Sequence, residues 1–317
     1  MASDDRQVIE RALTEGDIVW TSIDRVTDSG EPVFGVTTAD GRYFAKRLPE
    51  HKGQPMERVL TANVGAGMPP SRILTTDPHV LLMEPAPGRP LSMLLPVCLL
   101  PGLWRLTAEG LRACLRRVGE GLGELHAATV EGERPPTDEE CRMADRLEIT
   151  NAVADHVDLE MLAVRDRLPD DGPSLPVALI HGDPTPHNLF WDRRSGETTI
   201  IDFNLHTSVA LEDVVVVEAG LELMAGRLPY GRRRQARALV DAFRAGYQST
   251  GPHDSVLAAP LRTLKLGYYC HLLDKALRAP EPTSIQQRMT RVIDRPVLER
   301  RIHSLADADS GTDTSDT

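Results

Sequence analysis

The chain has 317 residues, of which 41% are hydrophobic and 4% aromatic, so it can bury a large aliphatic core in one large domain or two lobes. Its acidic side chains outnumber Lys and Arg by 47 to 36 and give a formal net charge of −11, which argues against a nucleic-acid surface as its main purpose. The charge does not identify a substrate, because part of the acid lies in the tail 307–317, whose composition predicts disorder.

The N-terminal segment is acidic from Asp4 and lacks the basic and apolar regions of a signal peptide. We therefore expect a cytoplasmic protein. The four cysteines share no metal-ligand spacing and have helix-like or apolar neighbours, which predicts buried reduced thiols. They are Cys98, Cys114, Cys141 and Cys270.

Strand patterns dominate the first third of the chain. Two strands are predicted between Ile18 and Lys46, around a turn that contains Gly30, and the alternation over Tyr43 to Arg47 is typical of a strand. A short helix is predicted around Met56. The apolar run from Val80 to Met83 predicts a further strand, which leads into a linker rich in Pro and Gly.

Lysine is scarce in this chain. Four of the 36 basic residues are lysines, at positions 46, 52, 265 and 275. Lys46 stands inside an apolar strand, where a buried ammonium group needs a partner or a function. Lys46 is therefore a candidate functional residue.

The run from Leu91 to Leu106 is the one membrane-like segment. Prolines, a glycine and an arginine interrupt it, and it is too short to span a bilayer. We expect it to pack in the core or to cover a cleft.

Helical patterns dominate the remainder. Thr107 is typical of an N-cap for a helix through about Ala128, and His126 at the end of its apolar face is expected to be a satisfied core residue rather than a ligand. Further helices are predicted over 138–168, 211–224, 232–248, 257–277 and 284–305. Strands followed by helices indicate the α+β class.

The most informative segment is His181-Gly182-Asp183-Pro184-Thr185-Pro186-His187-Asn188, which is followed by Asp202 fourteen residues after Asn188. Asp183 can align a hydroxyl nucleophile and accept its proton. Asn188 and Asp202 offer the oxygen ligands that Mg²⁺ prefers, and Asp202 follows a β-branched run typical of a strand. The spacing predicts a site for a metal and a phosphate, and no Gly-x-x-x-x-Gly-Lys sequence is present to form a P-loop.

This motif resembles the catalytic loop of the aminoglycoside phosphotransferase and choline kinase group, small-molecule relatives of protein kinases. The resemblance implies a bilobal, protein-kinase-like fold with a β-rich N-lobe over 1–84, a hinge over 85–90 and a helical C-lobe over 91–306. It also implies a Mg²⁺-dependent kinase that transfers the γ-phosphate of ATP or GTP to a hydroxyl group of a small acceptor.

The resemblance assigns the nucleotide site to the N-terminal part of the chain. Lys46 would contact the phosphates and pair with a helix glutamate, for which Glu57 is the first candidate and Glu50 the alternative. The other implied contacts are main-chain and side-chain groups of the hinge. They are Met83, Glu84 and Ala86 around adenine. The turn between the first two strands departs from the glycine-rich phosphate loop of kinases, because it has no Gly-x-Gly-x-x-Gly repeat, and there the backbone amides of Ser29 and Gly30 are the candidate phosphate contacts.

The acceptor site is predicted from the segment C-terminal to Asp202. Only the stretch from Asn204 to Leu211 separates Asp202-Phe203 from the next helix, so no peptide platform fits and a small acceptor is expected. His181 and Asp213 would support the catalytic loop. Candidate acceptor contacts are His187, Asn204, Glu218, Glu222, Tyr269 and Asp274, whose acidity mildly favours an amine-bearing acceptor.

The acceptor class stays open between aminoglycosides or other hydroxylated antibiotics, amino alcohols and sugars, and the protein is expected as a monomer or homodimer. Two alternatives also remain: a nucleotide-binding regulator without transfer activity, and a hydrolase whose metal is held by His181, Asp183, His187 and His206. Asn204 departs from the glycine or acidic residue that the family has there.

Overall fold

The computed structural model describes residues 2–27, 31–62, 67–133, 175–227, 233–252, 258–278 and 294–305. Several predictions fall outside these ranges: the roles of Ser29 and Gly30, the thiol of Cys141, the helix over 138–168, the first ten residues of the helix over 284–305, and the tail.

The N-terminal part is a five-stranded antiparallel sheet in the order β1-β2-β3-β5-β4. Its strands are β1 (Trp20–Arg25), β2 (Val33–Thr38), β3 (Arg42–Arg47), β4 (Ser71–Thr76) and β5 (His79–Met83). Helix α2 (Glu50–Thr61) connects β3 to β4. Helix α1 (Ala2–Glu15), which the sequence analysis did not predict, packs its buried Ile9 and Leu13 against one face of the sheet.

The register of β3 decides which way Lys46 points. Ala45 pairs with Leu82 and belongs to the small core beneath α1, whereas Lys46 pairs with Leu81, which belongs to the main core. Because side chains alternate across a strand, Lys46 lies on the sheet face that is turned toward the rest of the molecule.

The linker after β5 runs to β6 (Arg89–Pro90), which pairs with β9 (Leu189–Trp191). Gly88 has φ of +84°, and a Cβ atom there would lie 2.3 Å from the Trp191 carbonyl oxygen. Glycine is therefore needed where the linker crosses β9, the strand that follows the segment from His181 to Asn188, here called the catalytic loop.

Two small antiparallel sheets hold the catalytic loop. β8 (Pro176–Ile180) lies between β7 (Gly132–Glu133) and β11 (His206–Val209), and β9 lies between β6 and β10 (Thr198–Ile200). The loop connects β8 to β9, so both of its ends are fixed by strands. The predicted strand before Asp202 is confirmed as β10.

The remaining described elements are helices: α3 (Leu91–Cys98), α4 (Pro101–Thr129), α5 (Leu211–Gly226), α6 (Arg233–Thr250), α7 (Ala258–Arg278) and α8 over 294–305. Helix α4 begins at Pro101 rather than at the predicted Thr107, since proline suits the first helical position. α4 and α6 lie so close that a Cβ atom on Gly246 would be 1.9 Å from the Arg116 carbonyl oxygen.

The expectation of buried reduced thiols is met by the three described cysteines. Cys98, Cys114 and Cys270 are free and buried, and burial raises the pKa of Cys114 and of Cys270 to about 12. No described helix combines the length and apolar character needed to cross a membrane. The segment 91–106 forms α3 and the start of α4, with Met93, Val97 and Leu106 exposed.

Candidate active site

The catalytic loop is anchored from below by Asp213, at the start of α5. The carboxylate of Asp213 accepts hydrogen bonds from the N–H groups of His181 (2.7 Å) and Gly182 (2.9 Å). Gly182 has φ of +83°, and a Cβ atom there would lie 2.7 Å from the ring of His206 and 2.8 Å from the Asn204 carbonyl oxygen. The supporting role predicted for Asp213 therefore has a direct geometric basis.

Asp213 is completely buried, and burial by itself would raise its pKa. The hydrogen bond and charge of His126, with contributions from His181 and the Gly182 N–H, hold the pKa of Asp213 below its ordinary value. His126 Nε2 lies 3.1 Å from Asp213 Oδ2, and His126 Nδ1 lies 2.9 Å from the hydroxyl oxygen of Tyr247. His126 is thus a satisfied core residue, and it also fixes the anion that holds the loop.

The side chain of His181 orients the loop rather than facing a ligand. Its Nε2 lies 2.9 Å from the Ile201 carbonyl oxygen, and its Nδ1 accepts a hydrogen bond from the Asp183 N–H at 3.2 Å. Its ring packs against Phe203, with 4.3 Å between ring centroids. Burial lowers the pKa of His181, and its two contacts are those of an imidazole that donates from Nε2 and accepts at Nδ1.

Asn188 turns its amide nitrogen toward Asp183. Nδ2 donates to the Asp183 carbonyl oxygen at 2.9 Å and to Asp183 Oδ2 at 3.0 Å. This leaves the amide oxygen of Asn188 as the group available to a cation. Burial, followed by the negative charge of Asp202, raises the pKa of Asp183 above its ordinary value.

Asp202 connects the loop to the N-terminal sheet. It follows β10 in the left-handed region, with φ of +59°, a conformation uncommon for residues other than glycine. Its Oδ1 atom lies 2.9 Å from Lys46 Nζ, and its side chain is 54% exposed. The structure therefore brings Lys46, Asp183, Asn188 and Asp202 to one cleft, although Lys46 and Asp202 are 156 positions apart.

The predicted pairing of Lys46 with Glu57 is wrong. Among the described residues, Lys46 pairs with Asp202 and with Glu31, whose Oε2 atom lies 2.7 Å from Lys46 Nζ. Glu57 is half exposed, and its partner is His79 at 3.9 Å. The reason is helical geometry: the buried face of α2 is formed by Gly53, Met56 and Val59, and position 57 lies on the half-exposed flank of that face, beside His79 rather than Lys46.

Glu50, the alternative partner, is the exposed first residue of α2 and does not pair with Lys46 either. Glu31 was missed by the sequence analysis. A signal was present, because Glu31 precedes β2 by two residues and β2 is the strand beside Lys46.

The predicted hinge lies where β5 leaves the sheet. The Glu84 N–H donates to the Pro70 carbonyl oxygen at 2.9 Å, Met83 is partly buried, and Ala86 is half-buried in the extended linker. Within the described residues, no acceptor takes the N–H of Ala86. Contact of these three residues with a purine stays a prediction.

The acidic residues predicted to contact the acceptor form an internal ion-pair network. Glu218 is fully buried and binds Arg244 at 2.5 and 2.8 Å and Lys265 at 2.9 Å. Glu222 binds Lys265 at 2.5 Å and the hydroxyl of Tyr269 at 2.8 Å. Contact of Glu218 and Tyr269 with an acceptor is therefore wrong, because both are fully buried, and Glu222 is held by the same network.

The other candidate acceptor contacts differ in exposure. Asp274 is buried on α7, and His187 is exposed on the catalytic loop. Asn204 acts here through its main chain: its N–H donates to the His181 carbonyl oxygen at 2.8 Å, and its own carbonyl oxygen lies 2.8 Å from His206 Nδ1. A role of His187 or the Asn204 side chain toward the acceptor stays a prediction.

The alternative metal-hydrolase site is not supported by this geometry. Both ring nitrogens of His181 are engaged within the loop. In the described ranges, no group of three or more His, Cys, Asp and Glu side chains could hold a metal ion.

Comparison with known proteins shows the family of this chain. The model of the phosphotransferase enzyme family matches residues 26–253. The chain belongs to this family. It is therefore a phosphotransferase whose acceptor group is an alcohol, and the resemblance inferred from the catalytic loop is confirmed. No curated protein sequence matches.

Solved structures of kinase-like enzymes share the fold of this phosphotransferase over nearly its whole length. One is the amicoumacin kinase hAmiN in complex with AMP-PNP, Ca²⁺ and Ami, with a TM-score of 0.59 and 14% identity over 95% of this chain and 97% of that one. Another is a microcompartment-associated aminopropanol kinase, with a TM-score of 0.61 and 16% identity over 96% of this chain and 98% of that one. The choline kinase LicA from Streptococcus pneumoniae has a TM-score of 0.55 and 12% identity over 95% of this chain and 99% of that one. The predicted α+β, kinase-like fold is confirmed.

A pH prediction concerns the ionisation of Asp183 in the catalytic loop. The exposed Lys275 on α7 opposes the rise in the pKa of Asp183 that burial and Asp202 cause. Replacing Lys275 by glutamine should therefore raise that pKa further. If Asp183 must be ionised for turnover, the acidic limb of the pH profile of kcat should move to higher pH.

The matched control is Arg11→Gln on the exposed face of α1, which removes the same charge far from the loop and should leave the profile in place. An acidic limb that stays fixed or moves to lower pH in Lys275→Gln would contradict the prediction.

Proposed function

We propose that this phosphotransferase moves the γ-phosphate of ATP or GTP, with Mg²⁺, to a hydroxyl group of a small acceptor such as an antibiotic, an amino alcohol or a sugar. The observation that carries the proposal is the convergence of Lys46 from the sheet with Asp183, Asn188 and Asp202 from the C-terminal part. Positioning and neutralisation of phosphate charge are the main catalytic demands of phosphoryl transfer.

The donor set fits a magnesium ion. The free amide oxygen of Asn188 and the exposed carboxylate of Asp202 are hard oxygen ligands. The main chains of the two segments are tied together by the hydrogen bond from the Ile201 N–H to the Asn188 carbonyl oxygen at 3.0 Å. When bound, the ion would offset the negative charge of the phosphate groups.

Asp183 receives the acceptor hydroxyl in this proposal. Its carboxylate is held by Asn188, and the loop beneath it is fixed by Asp213. The acceptor oxygen forms the new bond to the γ-phosphorus, the bond from that phosphorus to the β–γ bridging oxygen breaks, and the hydroxyl proton passes to Asp183. The nucleoside diphosphate leaves with the bond's electron pair, and Lys46 steadies the phosphates that remain on it.

The segment after Asp202 supports a small acceptor. Residues 206–209 form β11, which pairs with β8 along its whole length. The short connection between Asp202 and α5 is thus tied into a sheet, and within this described stretch no free loop remains to carry a peptide. The preference for an amine-bearing acceptor loses its basis, because Glu218 and Glu222 are neutralised internally.

The test is a screen of hydroxylated antibiotics, amino alcohols and sugars with MgATP and MgGTP, read by acceptor-dependent release of ADP or GDP and by the mass of the phosphorylated product. The proposal expects at least one acceptor that gains one phosphate. Tight nucleotide binding with slow hydrolysis and no acceptor-dependent release across the screen would instead favour the regulatory alternative.

A further inference from the structure

One carboxylate bridges two of the chain's four lysines. Glu31 Oε1 lies 2.6 Å from Lys52 Nζ, and Glu31 Oε2 lies 2.7 Å from Lys46 Nζ. The side chains of Lys46 and Lys52 are 9% and 14% exposed, whereas that of Glu31 is 32% exposed. Two nearly buried ammonium groups therefore converge on an anion at the rim of the cleft.

Placing these two ammonium groups so close together is energetically unfavourable without an anion between them. The two ammonium groups repel each other, and the repulsion is poorly screened away from water. Lys52 also lies in the first turn of α2, where the helix dipole disfavours a cation and the free N–H groups favour an anion. The position is thus suited to a negative group that can bind both lysines.

The same place adjoins the proposed phosphate site. Lys46 is 2.9 Å from Asp202, the proposed metal carboxylate, so the phosphates of a bound nucleotide would lie beside Lys46. Lys52 is separated from Lys46 by only the carboxylate of Glu31. A phosphate group presents several oxygens and can bridge two ammonium groups as this carboxylate does.

We propose that Lys52 is a second phosphate-contacting lysine, and that Glu31 holds Lys46 and Lys52 before nucleotide binds and gives way to the phosphates of the nucleotide. This inference rests on the proposed function. It differs from the usual arrangement implied by the resemblance, in which a helix glutamate stays paired with the lysine.

The surroundings of Glu31 allow this exchange. Its main chain is held by Thr27, whose hydroxyl donates to the Glu31 carbonyl oxygen at 3.2 Å and accepts from the Val33 N–H at 3.0 Å. Its side chain is one-third exposed although the Oε2 atom itself is buried, so the side chain can rotate into water while the main chain stays in place. The repulsion between Glu31 and a triphosphate favours that rotation.

The test is calorimetric binding of MgATP, of inorganic tripolyphosphate and of adenosine to the whole protein. Glu31→Gln should bind MgATP and tripolyphosphate about threefold to thirtyfold more tightly, because the competing charge is gone. Lys52→Gln should bind both about tenfold more weakly, the scale of a lost charged hydrogen bond. Adenosine, which has no phosphate, should bind all variants alike.

Matched controls lie on the same helix. Glu50→Gln removes an exposed acid two residues from Lys52, and Arg58→Gln removes a cation that pairs with Glu131 at 3.7 Å. Both should bind all three probes like the wild type. Glu31→Asp keeps the charge with a shorter reach and serves if Glu31→Gln does not fold.

The outcomes separate the two proposals. Unchanged tripolyphosphate binding in Lys52→Gln, or weaker MgATP binding in Glu31→Gln, would overturn this inference while leaving the phosphotransferase site intact. A wild-type protein that binds neither MgATP nor tripolyphosphate would overturn the proposed nucleotide site itself, and the role of Lys52 with it.

Discussion

Replacing Asp183 by asparagine should lower kcat by about 10²-fold to 10⁴-fold, the usual contribution of a positioned general base. Asparagine keeps the shape of the side chain but cannot accept the hydroxyl proton. The affinity for MgATP should change little, because the proposed nucleotide contacts are made by Lys46, Asn188 and Asp202.

This prediction is checked by steady-state kinetics with an acceptor from the screen, together with calorimetric binding of MgATP. Asp40→Asn in the turn between β2 and β3 is a suitable control, since it removes an exposed carboxylate away from the cleft. An unchanged kcat in Asp183→Asn, or a loss of activity that is explained entirely by weaker nucleotide binding, would show that Asp183 is not the general base.

Replacing Glu218 by alanine should lower the free energy of unfolding by about 3–5 kcal/mol, the cost of removing one partner from a buried ion pair. Lys265 is 8% exposed and would keep its charge with one carboxylate fewer. Arg244 would lose both of its bonds to Glu218. Because Glu218 ties α5 to α6 and α7, α5, which carries Asp213 in its first turn, would also be less well held.

Urea unfolding of the variant and the wild type measures this loss. Glu10→Gln, which breaks the exposed pair between Arg6 and Glu10 at 2.9 Å, should cost at most about 1 kcal/mol and serves as the comparison. A loss in Glu218→Ala no larger than that of Glu10→Gln would show that the network does not hold the helices together.

The residues of the catalytic loop could be predicted because their signal is local. The segment from His181 to Asn188 and the strand before Asp202 are short patterns, and the chemistry of carboxylate and amide oxygens narrows their use. Partners distant in sequence were not predictable in this way. His126 and Asp213 are 87 positions apart, and nothing in the sequence around either residue indicates that the two side chains will pair. The pairing becomes visible only in the fold, where α4 lies beneath the catalytic loop.

Two wrong predictions concern helix faces that the periodicity of the sequence specifies. The apolar positions of α2 place Glu57 on the half-exposed flank of its buried face. The sequence of α5 is apolar around nearly its whole circumference, so Glu218 had to be buried, Glu222 had to be at least partly buried, and both had to be paired. Their partners Arg244 and Lys265 lie on other helices and could not be named from the sequence.

Calorimetric titration of the wild type and Asp202→Asn with ATP, in the presence and absence of Mg²⁺, tests the central claim most directly. We predict that the wild type binds ATP much more tightly with Mg²⁺ than without it, and that Asp202→Asn loses this dependence while remaining folded. Two results would contradict a phosphotransfer site formed by Lys46, Asp183, Asn188 and Asp202. One is an ATP affinity that depends neither on Mg²⁺ nor on Asp202, and the other is a wild type that binds neither ATP nor GTP.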